Sequence, residues 1–193
     1  MRMDRQAALL VVDVQNDFAD PAGSLSVRGG AEIVPRIDRE IEAACADGRP
    51  VFYTQDWHPE STPHFRKDGG IWPVHCVADT WGADLHPDLI VDGPVVRKGT
   101  DGSDGYSGFT TRDPRSGEPS VTPLDAMLRE AGVTKVVICG LATDYCVLET
   151  VLDACRLGYG VEVLTEAIRA VDLEPGDGGR AIDSMRRAGA AIG

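Results

Sequence analysis

The sequence predicts one α/β domain, a doubly wound and mostly parallel sheet of about five or six strands with helices on both faces. Short apolar runs alternate with amphipathic helical segments, which is the order that successive βα units produce. The chain has 193 residues, of which 42% are hydrophobic and 26% charged, as in typical soluble globular domains. No internal repeat, low-complexity tract or linker-like segment interrupts it. We therefore expect a single domain over residues 1–193.

The first half of the chain supplies three predicted strands and one helix. Ala7–Val12 is a continuous apolar run, typical of a parallel strand buried on both faces. Residues 51–54 and 95–96 are the second and third strand candidates. Between the first two strands, apolar residues at helical spacing predict a helix that tolerates Pro35 only in its first turn. These residues are Ile33, Ile37, Ile41 and Ala44.

The second half continues the alternation. A helix is predicted where Thr122 can cap the N-terminus and Pro123 can occupy the first turn, followed by an apolar stripe. Residues 136–139 form a strand that we expect to end at Gly140, and the helix after it should end at Gly158. The remaining elements are a strand over residues 161–164, a helix containing Ala181, Ile182 and Met185, and a short or incomplete edge strand over residues 190–192.

The net charge and the cysteine content indicate which binding partners and which cellular compartment to expect. The formal net charge is −12 at pH 7, and a surface of that sign repels nucleic-acid phosphates. The apolar run near the N-terminus is too short for a signal-peptide core or a membrane span. The five cysteines include no CxxC pair, which fits a reducing compartment. We therefore expect a cytoplasmic protein that binds neither nucleic acid nor membrane.

Reactive side chains follow the predicted strands. Asp13, Asp56, Lys98 and Cys146 each lie at or just past a strand's carboxyl end, where parallel sheets place their ligand sites. Thr143 is a plausible N-cap, so Cys146 should lie in a first helical turn that favours the thiolate. Asp13 could serve that thiol as a base and Lys98 as a cation. Taken singly, the cysteine could be a small buried hydrophobe, the aspartate a turn residue and the lysine a solvated charge. Their convergence favours the chemical interpretation.

Two segments, residues 57–94 and 99–121, are too long for ordinary connections between strands and helices, and such long loops are often functional. The first of them contains a second set of polar residues. His58, His64 and His75 follow Asp56, and this carboxylate-imidazole set suits zinc and equally iron(II) or manganese. Each histidine alone could be an exposed loop residue, but together they predict a metal site. Cys76 is a rival ligand, and we interpret His86 as structural.

Six segments of the sequence occur together: Asp-Val-Gln-Asn-Asp-Phe at 13–18, Asp-Trp-His at 56–58, Trp-Pro-Val-His-Cys at 72–76, Lys-Gly-Thr at 98–100, Tyr-Ser-Gly-Phe at 106–109 and Gly-Leu-Ala-Thr-Asp-Tyr-Cys-Val at 140–147. They resemble the nicotinamidases, also called pyrazinamidases, within the isochorismatase-like cysteine hydrolases. The resemblance runs from about residue 9 to residue 189, with the motifs in the family's order. The set of aspartate, lysine and cysteine is shared by many amidases of the superfamily, whereas the aspartate with three histidines is typical of the nicotinamidases.

The resemblance implies an isochorismatase-like fold and a role for each matched residue. Cys146 would attack the carboxamide of nicotinamide, Asp13 would move the proton and Lys98 would hold the ion pair. Backbone N–H groups of Ala142 and Cys146 would form the oxyanion hole, next to a cis peptide bond between Leu141 and Ala142. One divalent ion, zinc first and iron or manganese otherwise, would be bound by Asp56, His58, His64 and His75. The substrate ring would contact Phe18, Trp72 and Tyr106, although each of these could equally serve loop packing.

The implied activity is hydrolysis of nicotinamide to nicotinate and ammonia through a thioester, serving pyridine nucleotide salvage, with pyrazinamide as an expected second substrate. A homo-oligomer is compatible with the family. Three alternatives stay open at this point. The chain could be a related cysteine amidase for another small amide or carbamoyl compound, a hydrolase in which the metal activates water and the thiol is inert, or a non-catalytic module that binds metal or a pyridine.

Overall fold

The computed structural model describes residues 6–193, and residues 1–5, which open the chain ahead of the first predicted strand, lie outside the described residues. It confirms the predicted α/β class with a parallel sheet of six strands. The helices and strands are β1 (Ala7–Val12), α1 (Asn16–Ala19), α2 (Val34–Ala46), β2 (Val51–Asp56), β3 (Val95–Lys98), β4 (Thr110–Arg112), β5 (Pro119–Val121), α3 (Leu124–Glu130), β6 (Lys135–Leu141), α4 (Leu148–Arg156), β7 (Gly160–Arg169), α5 (Asp177–Arg187) and β8 (Ala191–Ile192).

The order of the strands places a crevice at the centre of the sheet. The sheet runs β3-β2-β1-β6-β7-β8, and every neighbouring pair is parallel. From β1 the chain builds outward to β3 on one side, then crosses to β6 and builds outward to β8 on the other. In such sheets ligands bind beyond the carboxyl ends of the two strands at the reversal, which here are β1 and β6.

Apolar side chains cover both faces of the sheet. Ile37 and Ile41 of α2 pack on one face with alternate residues of β1, while Leu128, Val151 and Met185 of α3, α4 and α5 pack on the other. All five side chains are buried, and burying an apolar side chain of this size stabilises the fold by about 1.5–3 kcal/mol. None of the helices in the described part of the chain combines the length and apolarity that crossing a membrane requires.

The prediction that Gly140 ends a strand is wrong, because β6 continues through it to Leu141. Gly140 has a φ of 114°, and the pairing of β6 with β7 shifts register between Ile138 and Gly140. A Cβ atom at this position would lie 2.1 Å from the carbonyl oxygen of Val12. The glycine therefore marks a bulge at a close approach of two backbones, and β6 carries the chain onward to the crevice.

Two helix starts also differ from prediction. Thr143 is not an N-cap, because a π turn over Thr143–Val147 precedes α4 and Ala142 lies at the cap position without a side-chain hydrogen bond. Helix α3 begins at Leu124, so Pro123 lies at the cap rather than in the first turn. Gly158 follows the last residues of α4 with a φ of 87°, as predicted for a terminating glycine.

The long connections contain short elements that the sequence did not indicate. Residues 99–121 include an antiparallel hairpin of β4 and β5, and residues 57–94 include two 3-10 turns, Arg66–Asp68 and Trp81–Ala83. The predicted edge strand is present as β8, which pairs with β7. These connections lie at the carboxyl edge of the sheet and enclose the crevice.

Candidate active site

The crevice brings the four predicted strand-end residues together. Asp13 directly follows β1, while Asp56 and Lys98 are the last residues of β2 and β3. Cys146 lies in the π turn after β6. All four are buried, and one ligand atom from each of Asp13, Asp56 and Cys146 lies within 4.8 Å of the other two. The expected convergence is therefore present.

The ammonium group of Lys98 lies at the centre of this cluster. Its Nζ is 2.9 Å from Asp13 Oδ2, forms a very short ion pair with Asp56 and is 3.7 Å from the sulfur of Cys146. The hydroxyl of Thr54 donates to Asp13 Oδ1 over 2.6 Å. One cation thus faces two carboxylates and a thiol, which can pass a proton among themselves.

Burial and charge move the pKa values of this cluster in different directions. Burial raises the pKa of Asp13, although Lys98 partly offsets this effect. At Asp56, burial is outweighed by Lys98 and His58, and the pKa lies below the usual range. Burial disfavours the charged form of Lys98, but Asp13 and Asp56 raise its pKa well above the ordinary value.

Burial opposes the predicted preference of Cys146 for the thiolate. Burial raises the pKa of its thiol well above the ordinary value, an effect that Lys98 opposes and Asp13 adds to. Burial of the sulfur beside two carboxylates outweighs the effect that a helix N-terminus would have on its pKa. Cys146 therefore rests as a thiol, and its ionisation needs a neighbouring base.

The backbone of Asp56 is fixed by Gln15, which follows β1. Gln15 Nε2 donates to the carbonyl oxygens of Asp56 and Ala83 over 2.7 and 2.8 Å, and its Oε1 accepts from Asp56 N over 2.8 Å. The amide side chain acts as an extra peptide group between β1 and β2. Neither Gln15 nor Thr54 was assigned a role from the sequence, although Gln15 lies in the segment 13–18 that carries the resemblance.

The three loop histidines form one cluster beside Asp56. The ring centroids of His58, His64 and His75 are 5.0 to 5.3 Å apart, all three side chains are buried, and one nitrogen of each lies within 4.8 Å of the others. His58 Nε2 is 3.7 Å from Asp56 Oδ2. The three histidines that follow Asp56 in the sequence thus form a compact group of nitrogen ligands, with the carboxylate of Asp56 at its edge.

The donors of this cluster fit a divalent metal ion. Both ring nitrogens of His58 are buried without a hydrogen-bond partner, which is costly unless something binds them. Nδ1 of His75 lies 2.7 Å from the carbonyl oxygen of Pro73, so its Nε2 is the nitrogen available to a ligand. Burial lowers the pKa of His75 to about 4, which keeps the ring neutral and its lone pair available.

The two other candidate residues of this region lie outside the cluster. Cys76 is buried, but its sulfur lies 3.9 Å from the carbonyl oxygen of Gly82, and it is absent from the metal-ligand groups found among residues 6–193. His86 accepts a hydrogen bond from the backbone of Asp88 and donates its own N–H to Val14. These contacts agree with a structural interpretation of His86.

A pocket of about 400 Å³, counted with its opening to solvent, connects Cys146 with His64 and His75. All three predicted aromatic residues line it, and Trp72 Nε1 donates to the hydroxyl of Tyr106 over 3.0 Å. Tyr145, to which no role is assigned from the sequence, packs its ring edge-on against Trp72 and Tyr106 at centroid distances of 4.9 and 5.3 Å. The lining residues are Phe18, Leu25, Val27, Asp56, His64, Trp72, His75, Tyr106, Ala142, Tyr145, Cys146 and Val171.

The backbone around Ala142 agrees with the expectation drawn from the resemblance. The peptide bond between Leu141 and Ala142 is cis, and Ala142 lines the pocket beside Cys146. The carbonyl oxygen of Ala142 accepts from the N–H groups of Tyr145 and Val147. The start of the π turn is thereby fixed next to the sulfur.

Comparison with known proteins decides the family. The sequence model of the Isochorismatase domain matches residues 7–193. The nicotinamidase of Escherichia coli is 38% identical over 203 aligned residues, which cover 96% of this chain and 93% of that protein. The chain belongs to the nicotinamidase/pyrazinamidase family of isochorismatase-domain hydrolases.

Solved structures of this family have the same fold. The pyrazinamidase of Pyrococcus horikoshii, in complex with zinc, has a TM-score of 0.86 and 39% identity over 97% of this chain and 98% of that chain. A protein of L. infantum in complex with nicotinate has a TM-score of 0.87 and 33% identity over 100% and 94%. The family's relatives also include a probable inactive nicotinamidase of Arabidopsis thaliana and a ureidoacrylate amidohydrolase of Methylobacterium radiotolerans, so membership alone does not identify a substrate.

Proposed function

We propose that this chain is a metal-dependent cysteine amidohydrolase that converts nicotinamide to nicotinate and ammonia. One observation carries the proposal: a single aromatic-lined pocket is bordered both by Cys146, which lies beside Asp13 and Lys98, and by His64 and His75. A flat ring that carries a carboxamide and a ring nitrogen could present the carboxamide to Cys146 and the nitrogen to the histidine cluster. The bound zinc and nicotinate of the two related structures support this interpretation.

The proposed mechanism follows from which groups around Cys146 carry a proton. Cys146 rests as a thiol, so Asp13 takes its proton as Sγ attacks the carboxamide carbon. The raised pKa of Asp13 makes its carboxylate a stronger base than an ordinary aspartate. Asp13 then gives the proton to the departing nitrogen, which leaves as ammonia while a thioester remains on Cys146. Water, deprotonated by Asp13, hydrolyses the thioester and releases nicotinate and the thiol.

The other residues of the pocket hold charge in place during these steps. Lys98 stabilises whichever of Asp13 and Cys146 is negatively charged. The N–H groups of Ala142 and Cys146 are the proposed donors to the oxyanion, a contribution of about 3–4 kcal/mol for one donor. Phe18, Trp72 and Tyr106 are the proposed ring contacts. Asp56, His58, His64 and His75 would hold a divalent ion, which would supply Lewis acidity toward the ring nitrogen of the substrate.

The test measures ammonia release from nicotinamide by the wild type, Cys146→Ala and the control Cys45→Ala, with metal content determined for each. Cys45 is an exposed cysteine outside the pocket. We expect Cys146→Ala to lose at least about 10⁴-fold in kcat with its metal retained, and Cys45→Ala to match the wild type. Turnover by Cys146→Ala would refute the thiol mechanism and favour water activated at the metal.

A matched substrate tests the choice of amide. Benzamide has the same ring shape and carboxamide as nicotinamide but no ring nitrogen, so the metal-bearing protein should hydrolyse it far more slowly. Pyrazinamide keeps a ring nitrogen and should be hydrolysed. Equal rates on nicotinamide and benzamide, or no release from a fully metallated wild type, would transfer the assignment to another small amide or to a binding role.

A further inference from the structure

The carboxylate of Asp104 contacts a proposed metal ligand from a distant part of the chain. Asp104 Oδ1 lies 2.7 Å from His64 Nδ1, and the two side chains are 18% and 6% exposed. A carboxylate can only accept, so Nδ1 donates its proton and the lone pair of neutral His64 lies on Nε2. We propose that Asp104 is a positioning residue that fixes the ring and tautomer of His64 for metal binding, an inference that rests on the proposed metal role of the three histidines.

The carboxylate of Asp104 is itself held from several sides. Its Oδ1 also accepts from the N–H of Gly105 over 2.8 Å, and its Oδ2 lies 3.4 Å from the guanidinium of Arg112. The backbones of Asp104 and Arg112 exchange two hydrogen bonds of 2.8 and 2.7 Å. Because Arg112 is the last residue of β4, the β4–β5 hairpin anchors the group that orients His64.

His64 differs in this respect from the other two histidines. His75 is oriented by a backbone carbonyl, and neither ring nitrogen of His58 has a hydrogen-bond partner. Within the described residues, Asp104 is the only carboxylate at hydrogen-bond distance from a ring nitrogen of this cluster. A carboxylate bonded to Nδ1–H makes Nε2 a stronger electron-pair donor to the metal. Loss of such a partner typically lowers metal affinity by about 10- to 100-fold.

The experiment measures the Kd for Zn²⁺ by competition with a chromophoric chelator, using metal-free full-length protein. The variants are Asp104→Ala, which removes the acceptor, and Asp104→Asn, which keeps a neutral oxygen of similar shape. Asp101→Ala is the matched control, because Asp101 lies in the same loop and accepts from Ser103 rather than from a histidine. We expect binding to be about 10- to 100-fold weaker in Asp104→Ala, intermediate in Asp104→Asn and unchanged in Asp101→Ala.

Two further readouts separate positioning of the ligand from general stability. The metal-free wild type and Asp104→Asn should unfold at closely similar temperatures, and the visible spectrum of bound Co²⁺ should change in the Asp104 variants only. Equal Zn²⁺ affinity in wild type and Asp104→Ala would overturn this inference and leave the proposed function standing. A wild type that binds no Zn²⁺ would overturn the metal site itself. If Asp104→Ala fails to fold, wild-type affinity in Asp104→Asn overturns the inference.

Discussion

Replacing Thr54 with valine tests whether the ionisation of Asp13 limits the reaction. The Thr54 hydroxyl donates to Asp13 Oδ1 over 2.6 Å, and both side chains are fully buried. Valine has nearly the same shape, so Thr54→Val removes the donor without opening a cavity. Because the hydroxyl favours the carboxylate over the acid, its loss should raise the pKa of Asp13 further and reduce the fraction of active base at low pH.

The size of the effect follows from the strength of a buried hydrogen bond to a charged group. Such a bond contributes about 1.5–3 kcal/mol. Since a shift of one pH unit corresponds to about 1.4 kcal/mol, the acidic limb of the kcat/KM profile should move upward by about one to two pH units. The plateau at higher pH should stay within about threefold of the wild type, because Asp13 is ionised there in both proteins.

The assay is ammonia release from nicotinamide across the acidic range, at substrate concentrations well below KM. Thr150→Val is the matched control. Thr150 is also fully buried, but its hydroxyl accepts from the N–H of Gly108 and makes no contact with Asp13. A limb that stays in place in Thr54→Val while the rate falls equally at every pH would refute the role of Asp13 as the ionising base. A limb that moves in both variants would show a general effect of packing.

Two further substitutions test the electrostatics and the backbone. Lys98→Met leaves Asp13 and Asp56 buried without their cation, so urea unfolding at neutral pH should show a loss of about 3–5 kcal/mol. That loss should shrink as the pH falls, because the two carboxylates then take up protons in the folded variant; a loss independent of pH would contradict this reasoning. Gly140→Ala should destabilise by more than about 4 kcal/mol, since its Cβ would meet the Val12 carbonyl oxygen at 2.1 Å. Gly132→Ala, with a φ of 70° and open space around it, should lose only about 1–2 kcal/mol, and equal thermal shifts for the two would refute the clash.

The strand ends could be read from the sequence because the signal is local. A strand buried on both faces is a continuous apolar run, so Ala7–Val12 predicts both the strand and the place where Asp13 leaves it. The rule that parallel strands end at one edge then brings Asp56 and Lys98 beside Asp13, although these residues are far apart in the chain. The same rule predicts that Cys146 lies in the crevice, because it depends on where each strand ends and not on the number of residues between Cys146 and Asp56.

What the sequence could not supply depends on contacts between segments. The bulge at Gly140 arises from the approach of β1, and no neighbour in sequence indicates it. Asp104 gives no sign of its contact with His64, because 39 intervening residues separate the two positions. The raised pKa of Cys146 reflects burial, which a helix-end argument alone does not contain. The position of Tyr145 at the pocket could have been predicted, since this residue directly precedes Cys146 in the segment 140–147 that carries the resemblance.

The assembly of the site from separate strand ends has a consequence for how activity returns during refolding. Asp13 meets Thr54 across 41 positions, Asp56 meets Lys98 across 42, and Lys98 meets Cys146 across 48. Contacts over such separations carry a high loop-closure cost and form slowly compared with local helices. A partly folded chain with its helices in place but β3 or β6 undocked would lack Lys98 or Cys146. Recovered turnover should therefore lag behind recovered helical signal and report on the complete sheet.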